Sequence, residues 1–250
     1  MVLPSLSIGA TVGVILSAGF VYFEVGRYAT PQVPTTLFDE RREIFAYTAG
    51  LFVGIPFAVI YVLYILAMGN GALPGALVFL ALLVGGAELA QWVLLRSAYW
   101  GRTASGPFYA LGFRAAIGGI IALAVVAQVL GVPSLRWDSI LLALVQSVAV
   151  VALEVTGALL SLPPGGAEGR TGGGPLAAGV FAAFGFFLIG IGTVAGEAGS
   201  FGGAAFAALG AFFVYRRLRL RLARIPPPTA RLRSEPVDEP AAYGRTKGVR

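Results

Sequence analysis

The sequence predicts an all-α membrane protein, a polytopic bundle of seven transmembrane helices. Three observations support this class. Of the 250 residues, 57% are hydrophobic and only 12% are charged, whereas soluble domains carry about 25% charged residues. Seven apolar segments are close to the ~20 residues that a helix needs to cross a bilayer. Basic residues fall on one side of the resulting topology, as expected for a multi-pass protein of the cell membrane.

The predicted spans are joined by short polar or glycine-rich connections. Lipid offers no partner to unpaired backbone groups, and no segment alternates as a barrel strand would, so every span is expected to be a helix. The spans cover residues 3–24, 45–68, 75–97, 109–131, 139–161, 176–196 and 199–216. We therefore expect residues 1–225 to form one seven-helix domain. Residues 226–250 alternate charge and proline and are expected to be a disordered cytoplasmic tail.

The direction of the chain follows from the end of the last span. The run from Ser200 to Tyr215 has no charged residue, and five arginines come directly after it. Anionic lipid of the inner leaflet attracts such a cluster, which predicts a cytoplasmic C-terminus and an outer N-terminus. In this topology all 18 Lys and Arg residues except Arg136 lie on the cytoplasmic side. The expected lipid-surface anchor consists of Arg216, Arg217, Arg219, Arg221 and Arg224.

The residue types present disfavour several functions. The chain has no cysteine and no histidine, so thiol chemistry, disulfides and the commonest metal ligand are absent. Its one lysine, Lys247, lies in the tail, and no GxSxG, P-loop or HExxH motif occurs. We therefore expect no catalytic residue, no metal site and no cofactor. The net charge of +6 arises mainly at and beyond Arg216, which indicates a lipid surface as partner rather than nucleic acid.

Glycines spaced four residues apart mark faces on which helices can approach closely. Gly50 and Gly54 form such a pair in the second span, and Gly192 and Gly196 form another in the sixth. Small residues favour helix association in lipid, where no hydrophobic effect drives helices together. Packing within the bundle is the main interpretation. A gate, a homo-oligomer contact or a contact with a membrane partner subunit stays open as the alternative.

Polar residues at membrane depth form the candidate functional site, because each costs ~2.5 kcal/mol or more at the centre of a bilayer. Counting ~1.5 Å per residue from the span ends places Glu88, Arg114 and Glu154 in the same half of the membrane. We predict that they form a cluster joining spans three, four and five, with Gln91 and Gln146 on the same helices. Two interpretations stay open. The cluster is either a neutralised structural clamp or a site where a carboxylate carries a proton or cation.

Two segments resemble the microbial (type 1) rhodopsins, which have seven spans in the same orientation. DERREIFAYTAGLFVGIPFAVIYVLYILAMGNG resembles their second helix, and AFAALGAFFVYRRLR resembles their last, including Gly210 and Arg217. In this alignment Ala208 stands where the family has its retinal lysine, and the Arg-Tyr-x-Asp-Trp motif of the third helix is absent. The resemblance implies the bundle without a covalent retinal Schiff base. A noncovalent apolar ligand, such as a carotenoid, would be compatible with it.

These observations predict a non-enzymatic binding or accessory protein of the membrane, whose polar cluster is mainly structural. The alternative is a small-solute or ion transporter, proton-coupled through Glu88 and Glu154. A third interpretation is a membrane subunit of a larger complex that docks through its glycine-rich faces.

Overall fold

The computed structural model describes residues 2–26, 40–97, 99, 106–130, 137–161 and 174–222. Within these ranges the chain forms seven α-helices and no strand, which confirms the all-helical class. The helices are α1 (Val2–Gly26), α2 (Glu40–Gly69), α3 (Leu73–Arg96), α4 (Gly106–Leu130), α5 (Trp137–Ser161), α6 (Gly174–Val194) and α7 (Gly196–Leu222). The predicted tail at 226–250 lies outside the described residues.

Six helices, α2 to α7, are long and apolar enough to cross a membrane. The shortest of these spans has 21 residues, which gives a length of ~32 Å against a hydrocarbon core of ~30 Å. The described apolar part of α1, Ser7–Phe23, is shorter. The chain is therefore a helical protein of the multi-pass membrane class.

α4 is the central helix of the bundle. In its membrane-spanning part, 83% of the residues are buried inside the protein, whereas the corresponding share in the other five long helices is 22–61%. α1, α2 and α5 pack along α4, and α3 approaches it over a shorter stretch. A second layer of contacts joins α6 to α5, α7, α3 and α2. Residues on α4 can therefore touch side chains from four different helices.

The glycine contacts show how the helices run beside α4. On α2, Gly50 meets Phe113 and Gly54 meets Ile117 of α4, so α2 and α4 are parallel. On α1 the order is reversed, because Gly9 meets Leu123 while the later Gly13 meets Gly119. We call the end where α2, α4 and α6 begin, and where α1, α3, α5 and α7 end, the basic end. The arginines with described side chains at this end are Arg41, Arg42, Arg96, Arg216 and Arg217.

The glycine pair predicted in α2 lies on its packing face. A methyl group at Gly54 would lie 2.9 Å from Cβ of Ile120, and one at Gly50 would meet the carbonyl oxygen of Phe113. Gly192 behaves in the same way toward α7, where a methyl group would lie 2.6 Å from the carbonyl oxygen of Gly199. These glycines allow backbones to approach closely, as small residues do in membrane bundles.

Gly196 has a different role from the one expected. It has φ of +83°, and a methyl group added there would meet nothing within 4 Å. It lies at the turn between α6 and α7 rather than on a packing face of α6. Glycine suits this turn because it adopts the left-handed conformation without steric cost. Residues 197 and 198, left between the predicted sixth and seventh spans, belong to α7, and Ala195 alone separates the two helices.

The contact between α1 and α4 was not predicted. Gly9, Gly13 and Ser17 follow each other at intervals of four and lie against Leu123 and Gly119 of α4. Methyl groups at Gly9 and Gly13 would both meet backbone carbonyl oxygens of α4. The hydroxyl of Ser17 lies 2.7 Å from that of Tyr47, so this face also links α1 to α2.

Candidate polar site between α3, α4 and α5

A buried arginine on α4 lies at the centre of the polar site. The side chain of Arg114 is 0% exposed, and its guanidinium contacts carboxylates from two other helices. Nε lies 2.7 Å from Oε2 of Glu154 on α5, and Nη2 donates to Oε1 of Glu88 on α3 over 3.2 Å. The contact with Glu154 is the closer one, but its N–H is not aligned for a hydrogen bond, so it is an ion pair only. The structure thus brings the three charged residues together.

Glycines on the neighbouring turns leave room for these side chains. A methyl group at Gly157 of α5 would lie 2.9 Å from Nη2 of Arg114 and 3.8 Å from Oε1 of Glu88. A methyl group at Gly118 of α4 would lie 3.3 Å from Cβ of Glu154. The charged contact and the close helix packing therefore depend on each other. Neither glycine was assigned to the site from the sequence.

Gln91 adds a second polar contact, one turn closer to the basic end. Its Nε2 donates to the carbonyl oxygen of Ala158 at 3.2 Å and to Oγ of Ser161 at 2.7 Å. Ser161 in turn donates to the carbonyl oxygen of Ala158 at 3.1 Å. α3 and α5 are therefore joined on two adjacent turns. Ser161 was not predicted, because a serine at the end of a span gives no signal of its own.

Gln146 is not brought to this cluster. It is buried on α5, but it precedes Glu154 by eight residues, which separates them by ~12 Å along the helix axis. Sequence reasoning placed it near the site because it shares a helix with Glu154. Its depth shows that it belongs to another layer of the bundle.

A fourth acid, Glu43 of α2, is buried and was not predicted. It is 6% exposed, and its carboxylate packs against Gly112 of α4, where a methyl group would collide with Oε1. Neither carboxylate oxygen has a hydrogen-bond partner among the described residues. Glu43 precedes the predicted second span, which begins at residue 45, yet α2 begins at Glu40. Glu43 extends the buried face of Ala46, Gly50 and Gly54 by one turn, and this spacing was the available signal.

Arginines and aromatic rings pair at the basic end. Arg42 donates from Nη1 to the carbonyl oxygen of Tyr99 at 3.0 Å, and its guanidinium carbon lies 4.7 Å from the centre of that ring. The guanidinium carbon of Arg96 lies 4.1 Å from the centre of the Trp92 ring. Arg216 and Arg217 are exposed. Arg219 and Arg221 lie in α7 with side chains outside the described set, and Arg224 lies beyond it.

An apolar groove lies at the opposite end of the bundle, outside the polar site. It has a volume of about 350 Å³ and is lined by Met68, Gly71, Leu73, Ile191, Val194 and Ala195. In the part of the chain that the structure describes, no group of three or more acidic side chains is placed to hold a metal ion.

Comparison of the chain with protein families, curated proteins and solved structures finds no match. The class stated above, a helical multi-pass membrane protein, therefore depends on the sequence and the structure.

Proposed function

We propose that this chain is a non-enzymatic integral membrane protein, of the binding or accessory kind, in which the charged cluster clamps three helices together. One observation carries this proposal: Arg114 is fully buried and contacts carboxylates from both α3 and α5. Removing one partner from a buried ion pair is costly, whereas replacing the whole set with neutral groups is often tolerated. We therefore expect the protein to tolerate neutral replacement of all three residues together, but not removal of one of them.

The test compares Arg114→Met with the triple variant Glu88→Gln, Arg114→Met, Glu154→Gln. Arg114→Met alone leaves the carboxylates of Glu88 and Glu154 without a base, so we expect the free energy of unfolding to fall by about 3–5 kcal/mol. The triple variant is expected to recover most of this loss. Denaturant unfolding in micelles measures both. A triple variant no more stable than Arg114→Met would contradict the idea that neutral groups can replace the whole clamp.

We propose that the basic end faces the cytoplasm and the anionic leaflet of the cell membrane. The exposed Arg216 and Arg217 on α7 and the aromatic pairs of Arg42 and Arg96 support this orientation, because basic residues and amphipathic rings favour that interface.

We also propose that the bundle is rhodopsin-like and that it carries no covalent chromophore. Ala208 in α7 is partly buried against the main apolar core, and no lysine lies in any of the seven helices. Purified protein incubated with retinal should show no visible absorption from a Schiff base. A borohydride-reducible adduct in the bundle would contradict this. We also propose contact with a second copy or a membrane partner subunit; Gly50, Gly54 and Gly192 are already used for packing inside the bundle.

Proton-coupled transport is the second candidate, because the cluster contains one carboxylate more than Arg114 can neutralise. Full ionisation would leave a net negative charge at a site from which water is largely excluded, and such charges are costly in lipid. One proton would make the cluster neutral. The side chain of Glu88 is 12% exposed, against 1% for Glu154, so Glu88 is the carboxylate that can exchange a proton.

Proton flux into liposomes that enclose a pH-sensitive dye separates the two candidates. A carrier should raise the flux above that of protein-free liposomes, and Glu88→Gln should abolish the increase. Asp138→Asn, a change at an exposed acid in the first turn of α5, is the matched control and should keep it. Flux that survives both Glu88→Gln and Glu154→Gln would exclude these carboxylates as the coupling site. Wild-type flux equal to that of empty liposomes would favour the clamp.

A further inference from the structure

We propose that Glu43 is a proton-binding site, separate from the cluster at Arg114, and that its carboxyl group docks α2 on α4 as a neutral acid. The ligand of this site is a proton. The inference depends neither on the clamp nor on transport, because it concerns another helix pair and another carboxylate.

The packing of the carboxyl group is the first support. Glu43 is 94% buried, the complement of its 6% exposure, and Oε1 occupies the space that a side chain at position 112 would need. Neither oxygen accepts a hydrogen bond from the residues that the structure describes. An ionised carboxylate is stable in such surroundings only with a base, a metal ion or several donors. A protonated carboxyl group carries no charge and needs only an acceptor for its single O–H.

The second support is that two bases near Glu43, namely Arg42 and Arg114, contact other groups instead. The charged or titratable side chains described near Glu43 are Arg41 (exposed), Arg42 and Tyr47 on α2, Tyr99 just beyond α3, and Tyr109 and Arg114 on α4. Arg42 is held by the carbonyl oxygen and the ring of Tyr99, and Tyr47 is hydrogen-bonded to Ser17 of α1. Arg114 follows Gly112 by two residues, about 200° around the helix, and contacts Glu88 and Glu154 instead.

Ionisation of Glu43 would therefore have a structural consequence. A carboxylate at this position would need water or a cation, and the contact between Glu43 and Gly112 would have to open to admit either. Close packing of α2 on α4 at the basic end therefore requires that Glu43 is protonated. A glutamine has the shape of the protonated acid and carries no charge, so it should replace Glu43 with only a small loss of stability, from the second N–H of its amide.

Labelling with N,N′-dicyclohexylcarbodiimide tests the inference on the full chain in micelles at neutral pH. This apolar reagent adds to protonated carboxyl groups: the proton moves to a nitrogen of the reagent, the carboxyl oxygen bonds to its central carbon, and the acyl group then migrates to nitrogen. The adduct gains the whole reagent and releases nothing. Peptide mapping should place an adduct on Glu43 and none on the exposed Asp138, and Glu43→Gln should abolish the former.

Two further variants keep the outcome decisive. Gly112→Ala should displace the carboxyl group and reduce labelling of Glu43 at least several-fold, whereas Gly85→Ala, where a methyl group meets nothing within 4 Å, should leave it unchanged. Glu43→Gln should keep its Tm within about 3 °C of wild type. In the infrared spectrum it should lose the carbonyl band of one protonated acid. The absence of both the adduct and that band, or a Tm for Glu43→Gln as low as that of Glu154→Gln, would overturn the proposal.

Discussion

The two contacts of Arg114 differ, and the difference predicts unequal costs of removing its partners. Glu154 is almost completely buried and lies 2.7 Å from Nε, whereas Glu88 is partly exposed and lies 3.2 Å from Nη2. We expect Glu154→Gln to lower the free energy of unfolding by about 3–5 kcal/mol, the usual cost of breaking a buried pair. Glu88→Gln should cost clearly less, because Arg114 keeps its closer partner. Denaturant titration in micelles measures both values.

Asp138→Asn is the control for this comparison, because Asp138 is exposed at the start of α5. An acid in the first turn of a helix contributes about 0.3–1 kcal/mol, so Asp138→Asn should cost clearly less than Glu154→Gln. If Glu88→Gln cost as much as Glu154→Gln, the two acids would be equal partners of the arginine, and the difference inferred from the distances and burial would be wrong.

Depth in the membrane explains which site residues can be predicted from the sequence. Glu88, Arg114 and Glu154 lie well inside apolar spans, so their charge is conspicuous, and the long arginine side chain reaches both acids. Glu43 lies in a charged run and looks like a surface residue until α2 is extended to Glu40. Gly157 carries no chemical signal, because its role is to leave space beside Arg114.

At the scale of the helices, the contact between α1 and α4 gives a test within a single helix. A methyl group at Gly13 would collide with the carbonyl oxygen of Gly119, whereas one at Gly19 would meet nothing within 4 Å. Backbone atoms cannot move aside as a flexible side chain can. We therefore expect Gly13→Ala to destabilise the protein by about 1–3 kcal/mol, the usual cost of overpacking. Unfolding in micelles measures the change.

Gly19→Ala is the matched control, with the same chemical change on the same helix and no neighbour to displace. It should be neutral or slightly stabilising, because alanine favours a helix over glycine by up to about 1 kcal/mol. Equal effects of the two substitutions would show that α1 does not pack on α4 through Gly13. Disulfide cross-linking between introduced cysteines would report the separation directly, since the chain has no cysteine of its own.

The sequence predicts where the helices lie along the chain, but it does not predict which helices pack against each other. Apolar length identifies a span because lipid forces the backbone into a helix. In lipid, however, residues that face the bilayer and residues that face the bundle are both apolar, so hydropathy does not show that α4 is central. Its small residues were the available clue, since Gly112, Gly118 and Gly119 each lie against a different helix. The left-handed φ of Gly196 likewise has no signature beyond the glycine itself.

At the scale of the whole molecule, the helix directions determine which positions share a side of the membrane. α2 and α4 are parallel and α1 is antiparallel to them, so the turn between α2 and α3 lies at the end opposite to Arg216 and Arg217. The exposed Asn70 in that turn and the exposed Arg217 on α7 are therefore suitable positions for one introduced cysteine each. The absence of native cysteine makes every signal specific.

We expect a membrane-impermeant thiol reagent to label Asn70→Cys in intact cells and Arg217→Cys only after permeabilisation. The reason is electrostatic: the arginines of the basic end are retained beside the anionic cytoplasmic leaflet, and each helix reverses the side reached by the next. Asn70→Cys in permeabilised cells, where it should label equally well, controls for reactivity. Labelling of both positions from outside would contradict the helix directions. Labelling of Arg217→Cys alone would keep the bundle but reverse its orientation, and the proposed contact with anionic lipid would then be wrong.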